Sequence, residues 1–215
     1  MDSKKIPALK RKTTVKEQVY TIIKDMILTQ KYQLGEKINI DTLADSMNVS
    51  NSPIREALTM LEKRGLVQNI PNVGFHVVSF SPDAYREVCL SLLVIVSGAY
   101  DLCLRQGTIE QTSQRMHEIL ELQKQSIDHS DMQIAVKYAL SFDKCLVEGT
   151  GNRHLLSIYE QLEDLFFLMA LHSHQRDTIE HINNISEHSM ILENIDKGDT
   201  SAVKEWLYSH YNKEI

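Results

Sequence analysis

Residues 49–67 read VSNSPIREALTMLEKRGLV, and this stretch decides what the first third of the chain builds. Ile54, Ala57, Leu58 and Leu61 recur at spacings of three and four, the period of a helix with one buried face. Ser52 reads as the N-cap and Pro53 as the first helical residue, where its missing N–H costs nothing. Gly65 ends the helix. Ser50, Asn51, Ser52 and Arg55 collect polar groups near its start, with Asn51 and Arg55 four apart and therefore neighbours. A helix packed on one side and polar near its N-terminus suits the major groove. There Arg takes guanine bidentately or a phosphate, and Asn takes adenine.

Upstream, Val15, Val19, Ile22, Ile23, Met26 and Ile27 predict a helix that fades into a turn at residues 30–35. Leu43, Ala44 and Met47 mark a second, short helix over 41–47, and Asn48-Val49-Ser50 reads as a tight turn. Downstream, two β-prone runs at 66–70 and 75–80 flank Pro71-Asn72-Val73-Gly74, a hairpin pattern. Three short helices and a hairpin over 13–80 predict a winged helix-turn-helix DNA-binding domain. Asn72, Gly74 and His76 of the wing are placed to reach the backbone or minor groove. Residues 1–12 carry five Lys/Arg and read as a flexible basic arm adding unspecific attraction to phosphate.

From Ser81-Pro82 the pattern is helical throughout. Helices are expected to about Gln106, to about Asp128 behind a T-x-x-Q capping box at Thr108 and Gln111, and near 131–148, 152–172, 177–197 and 200–213. The expected fold is mainly α: the winged head, then an all-α bundle of about six helices over 81–215 for effector binding and dimerisation. Charge divides in the same place. Residues 1–79 hold 12 basic and 8 acidic groups, net +4, whereas 80–215 hold 11 and 21, net −10. The overall −6 hides two parts suited to different partners.

The chain of 215 residues, 42% hydrophobic and 24% charged, has the composition of a soluble globular protein. Cys89, Cys103 and Cys145 form no CxxC pair, and the basic N-terminus lacks an apolar core to follow, which fits a reduced cytoplasmic chain. The most apolar run, Cys89–Tyr100, is twelve residues long. That is short of the roughly 20 a bilayer needs, so no membrane is expected. Cys89 and Cys103 share a helical face and read as packing residues.

Residues 49–67 resemble the signature of the GntR family: Pro53, Arg55, Glu56, Ala57, Leu58, Leu61, Gly65, Leu66 and Val67 all match. The resemblance implies that Arg55 contacts DNA. Asn51 and Val73 depart from it, since both positions usually hold Arg. Ser81-Pro82, Phe142, Gly151-Asn152, Glu187-His188 and Gly198-Asp199 extend the likeness to the branch with a FadR-type C-terminal (FCD) domain. Many members of that branch hold a metal on an Asp, a His four residues on, and two later His. Those positions fall on Ala139, Asp143, His188 and His210, so the resemblance implies a divalent ion (Zn, Mn, Ni or Fe) on Asp143, His188 and His210. Spacing independently points both imidazoles inward: His188 lies in the stripe Ile185, Leu192, Ile195, and His210 in the stripe Val203, Leu207. The remaining bundle histidines, His117, His129, His154, His172, His174 and His181, read as exposed or capping. The family's Arg and Glu near a carboxylate effector fall on Leu92 and Val96, which removes an anion clamp and points to a less charged effector or to simple core filling.

The expected function is that of a ligand-responsive, sequence-specific transcription regulator, commonly a repressor in this family. It would act as a homodimer on a double-stranded DNA operator, answering a small-molecule effector or metal in the bundle. The alternatives are a regulator-like adaptor or metal-binding protein that does not bind DNA, and a small metal-dependent enzyme. The enzyme reading leaves the Pro53–Leu58 motif and the charge division unexplained, and no nucleophile or general base is recognisable.

Overall fold

The computed structural model describes residues 13–126, 132–173 and 178–212 and divides into two compact units, Met1–Val77 and Val78–Ile215. The basic arm, His129 and His174 lie outside the described residues, as does the side chain of His181.

The first unit runs α1 (Val15–Leu28), α2 (Ile40–Met47), α3 (Asn51–Lys63), β1 (Val67–Ile70) and β2 (Gly74–Val77). A complete capping box opens α1: the Glu17 N–H donates to Thr14 Oγ1 at 3.2 Å, and the Thr14 N–H donates to Glu17 Oε2 at 2.8 Å. Of the predicted apolar stripe, Val19, Ile23 and Ile27 are buried against α3, while Val15 and Ile22 stay about half exposed. Asn48 turns the chain between α2 and α3 in the left-handed conformation, φ 51°, which a short polar side chain tolerates.

The start of α3 differs from the sequence reading. Its N-cap is Ser50, in extended backbone at φ −74° and ψ 167°, so Asn51 and Ser52 are already helical. Pro53 therefore sits third, still among the first residues whose N–H has no intrahelical acceptor, and the reason it is tolerated there survives the shift. Ile54, Ala57, Leu58 and Leu61 are fully buried. Each large aliphatic among them contributes about 1.5–3 kcal/mol relative to exposure.

The hairpin pairs Val67 with Val77 and Ile70 with Gly74, with Asn72 left-handed at φ 63°. It is shorter than predicted: β2 ends at Val77 because its partner Val67 is the first residue of β1. The loop before α2 adds to the same edge, with the Ile38 N–H on the Phe75 carbonyl at 2.8 Å and a bridge between Lys37 and His76.

The second unit consists, among the described residues, of six helices and no strand: α4 (Pro82–Gln106), α5 (Ile109–Ser126), α6 (Met132–Gly149), α7 (Arg153–Ser173), α8 (Thr178–Lys197) and α9 (Thr200–Tyr211). Ser81 Oγ accepts the Ala84 N–H at 3.2 Å, Pro82 is the first helical residue, and Gly107 closes α4 at φ 73°. Asn152 and Asp199 cap α7 and α9 in the same manner. The box expected at Thr108 and Gln111 is replaced: the Thr108 hydroxyl donates to the Gly149 carbonyl at 3.0 Å, tying α5 to the end of α6. A Cβ at Gly149 would lie 2.3 Å from Thr112 Oγ1, so glycine permits that close approach.

The core gathers around α4, whose Val88, Cys89, Leu92, Val96, Ala99 and Tyr100 are buried with Met116, Phe142, Leu146, Ile191, Leu192, Val203 and Leu207. The apolar run at 89–100 is thus part of a 25-residue helix. By length and composition α4 could cross a membrane, but its apolar residues largely supply the centre of a bundle. Leu92 and Val96, both fully buried there, fill core space. The three cysteines are buried and form no disulfide, and burial pushes the Cys145 thiol up to about 11.

Candidate nucleic-acid interface and metal centre

At the start of α3 the structure brings four of the predicted groups to one exposed end. Ser50 is the N-cap and its hydroxyl makes no capping bond. The Asn51 side chain donates from Nδ2 to Asp41 Oδ1 of α2 at 2.8 Å. Ser52 Oγ donates to Glu56 Oε1 at 3.3 Å. Arg55 is exposed one turn on from Asn51. Three orphan N–H groups and the positive end of the helix dipole point the same way, which favours phosphate.

In the wing, Asn72 is exposed at the tip and Gly74 takes φ 109°. His76 is half-buried and turns Nδ1 onto the Gly74 carbonyl at 3.0 Å. Its ring is therefore engaged with its own strand. The structure adds a cation that sequence reasoning missed: Lys37, bridged to His76 through its backbone, has Cε 3.9 Å from where a Gly74 Cβ would stand. Nothing in the sequence links Lys37 to a wing 37 residues later, because the pairing is made by a loop.

Residues 13–79 are not themselves basic. They contain seven Lys/Arg and seven Asp/Glu, so the +4 of residues 1–79 resides in residues 1–12, with five basic groups and Asp2.

In the second unit, α5, α6, α8 and α9 converge on Asp143, His188 and His210. One ligand atom from each lies within 4.8 Å of the others. Asp143 and His188 are buried, and the His210 side chain is 8% exposed. His210 Nδ1 meets Glu187 Oε2 at 2.7 Å, and His188 Nδ1 meets Gln123 Oε1 at 2.8 Å. Both partners are acceptors, so each Nδ1 carries a hydrogen, and a neutral ring held this way has its lone pair on Nε2. His210 Nε2 lies 3.9 Å from Asp143 Oδ2. Phe142 stacks on His188 at 4.1 Å, and Gln123 is itself held by Asn184 at 2.6 Å.

The Asp143 carboxylate accepts the Tyr211 hydroxyl on Oδ2 at 2.6 Å, while its buried Oδ1 has no partner among the described residues. Burial raises the Asp143 carboxyl above the usual carboxylate range; His210 and the Tyr211 hydroxyl oppose this, and the Glu187 charge adds to it. An orphaned buried carboxylate oxygen beside two imidazoles with fixed tautomers is a donor set that fits a divalent cation. Ala139 offers no donor. Glu187, Gln123 and Tyr211 were missed as outer partners of this set, since contacts across 23, 65 and 68 positions leave no local pattern. His117, expected exposed, pairs with Asp196 at 2.8 Å on the surface; His154 and His172 are exposed.

Comparison with known proteins agrees with both units. The profile of the bacterial regulatory proteins of the gntR family matches residues 15–77, and that of the FCD domain matches residues 96–213. The chain is 28% identical over 201 residues to the uncharacterized HTH-type transcriptional regulator YdhC of Bacillus subtilis, covering 92% of this chain and 88% of that one. It is 26% identical over 213 residues to the Uxu operon transcriptional regulator of Escherichia coli, covering 90% and 82%. Among solved structures, Escherichia coli McbR/YncC shares the fold with a TM-score of 0.74 at 19% identity, covering 93% of this chain and 94% of that one. The chain belongs to the GntR family in its FCD branch, and is a transcription regulator with a DNA-binding helix-turn-helix head and an effector-binding helical domain.

Proposed function

We propose that the protein is a homodimeric, operator-binding regulator, not an enzyme, whose helical domain takes a divalent ion on Asp143, His188 and His210 and thereby changes operator affinity. In the head, Arg55 contacts a base or phosphate, Asn51 reads a base, the Ser50 and Ser52 end of α3 receives a phosphate, and Asn72, Gly74 and Lys37 meet the backbone beside it. The His76 ring supports the wing rather than the contact. A protein acting on DNA whose three cysteines form no disulfide belongs in the reducing cytoplasm.

The metal reading is carried by one observation: both imidazoles are oriented through Nδ1 by acceptors, beside a buried Asp143 oxygen that has no partner among the described residues. Glu187 and Gln123 hold the rings, Tyr211 holds the second carboxylate oxygen, and Phe142 walls one side. A bound divalent ion supplies positive charge that makes ionised Asp143 favourable and ties α6, α8 and α9 together. With Leu92 and Val96 filling the core, no guanidinium at those positions clamps an anion, and the reading favours the ion itself or a weakly charged effector.

The dimer reading rests on α4. Glu87, Leu90, Val94, Gly98, Leu102 and Arg105 share its outward face, and Val94 is 72% exposed. A Cβ at Gly98 would meet nothing within 4 Å, so a residue costing about 1 kcal/mol in a helix interior has no packing reason inside its own chain. Two α4 helices crossing antiparallel at the level of residue 96 set Val94 of one against Gly98 of the other, and Glu87 against Arg105. This face is its own complement in shape and charge.

The decisive experiment measures metal content of purified protein, then operator affinity after chelation and after adding back Zn, Mn, Ni or Fe. We expect near-stoichiometric metal in the wild type, loss of it in an Asp143→Ala/His188→Ala/His210→Ala variant, and an operator affinity that follows metal only in the wild type. Equal metal content in both proteins removes the site; absent DNA binding by folded dimer at low salt removes the regulator reading.

A further inference from the structure

The contact between Asp41 and Asn51 joins the first turn of α2 to the first turn of α3. Asn51 stands at the exposed end of the helix that, on the reading above, enters the major groove. A side-chain amide is ordinarily ambiguous there, because rotating it by half a turn exchanges its donor and acceptor. The carboxylate removes that ambiguity. Asp41 only accepts, so the group 2.8 Å from it is Nδ2, and Oδ1 is thereby aimed elsewhere with its lone pairs. One N–H of Nδ2 is committed to Asp41, and the second remains.

An amide fixed in this sense presents one acceptor and one donor side by side. Adenine offers the complement in the major groove, the N6 amine as donor and N7 as acceptor. Guanine offers two acceptors, O6 and N7, so its O6 would face Asn51 Oδ1. A free Asn escapes that clash by turning over and donating to O6. This one is held, and the Asp41 charge beside it adds repulsion toward a second acceptor.

We infer that Asp41 and Asn51 act as one reading unit that selects adenine over guanine at one base pair of each operator half-site. Asp41 is a positioning residue, acting through Asn51. The bland role for Asp41 is a carboxylate in the first turn of α2, favourable to the helix dipole. That role moves thermal stability and leaves base preference untouched, which makes the two separable.

The test is selection of binding sites from a random double-stranded DNA pool by the full-length protein, followed by affinities on single-base variants of the selected site. Wild type is expected to show one adenine per half-site whose replacement by guanine weakens binding about 5- to 150-fold, the worth of one bidentate pair, and Asn51→Ala is expected to erase that difference. Asp41→Ala should bring the adenine-to-guanine ratio toward one, whereas Asp41→Asn, which keeps an acceptor for Nδ2, should restore part of it. Replacing that adenine by its 7-deaza analogue removes N7 and should cost wild type affinity but not Asn51→Ala. A guanine at the Asn51-dependent position, or an unchanged ratio in Asp41→Ala of wild-type melting temperature, overturns the inference. If Arg55→Ala still abolishes site-specific binding in that case, operator reading by α3 stands and only the Asp41–Asn51 unit falls.

Discussion

Single residues of the head divide by the kind of contact they can make. Arg55 is exposed on α3, one turn from its N-terminus, and on the proposed reading its guanidinium meets a base or phosphate. Arg55→Ala should cost roughly 1–3 kcal/mol on the operator and relax the preference at one position. Lys37 stands beside the wing as a point charge, without the fork that fits a base edge. Lys37→Ala should instead weaken binding evenly on all sequences and lower the salt slope by about 0.9. Fluorescence anisotropy on operator and scrambled DNA at several salt concentrations separates the two. At this scale the sequence was half legible. The exposed placement of Arg55 and Asn51 at the start of α3 was evident from the helical face, because that depends only on period. Lys37 and Asp41 were not, because a loop and a turn between helices bring them to the site, and no periodicity records that. The outer partners Glu187 and Gln123 were hidden for the same reason.

Elements were far more legible, and their punctuation explains it. Ser81-Pro82, Gly107, Asn152 and Asp199 end or begin helices by satisfying or tolerating orphan backbone groups, a local matter that composition exposes. Two of the misreadings concern helix starts. The α3 cap moved to Ser50 because extended backbone occurs there, and the Thr108 hydroxyl left its expected capping role for a carbonyl of another helix. What α4 does with its outer face is a property of the element as a whole. Val94→Glu would place a charge at the centre of the proposed contact between two copies, and sedimentation should then show a monomer at concentrations where wild type is a dimer. Because Val94 is 72% exposed, melting of the single bundle should change little. A dimer unaltered by Val94→Glu moves the interface elsewhere.

For the molecule as a whole, the charge boundary near residue 80 is visible in the sequence, and within the first 79 residues the excess lies in residues 1–12. Seven positive and seven negative groups balance over residues 13–79. Replacing the five Lys/Arg of residues 1–12 by Gln should therefore reduce the dependence of log K on log salt by up to about 4.5, measured on random DNA, while the ratio of operator to random affinity stays close to wild type. A neutral stretch over residues 13–79 beside a basic one over residues 1–12 separates searching from stopping. Residues 1–12 would govern how long the protein lingers and how far it slides on any stretch of chromosome, and the polar end of α3 only where the sliding ends. Within one family such a division lets the pace of target search change through a dozen residues, with no alteration to the surface that recognises the target.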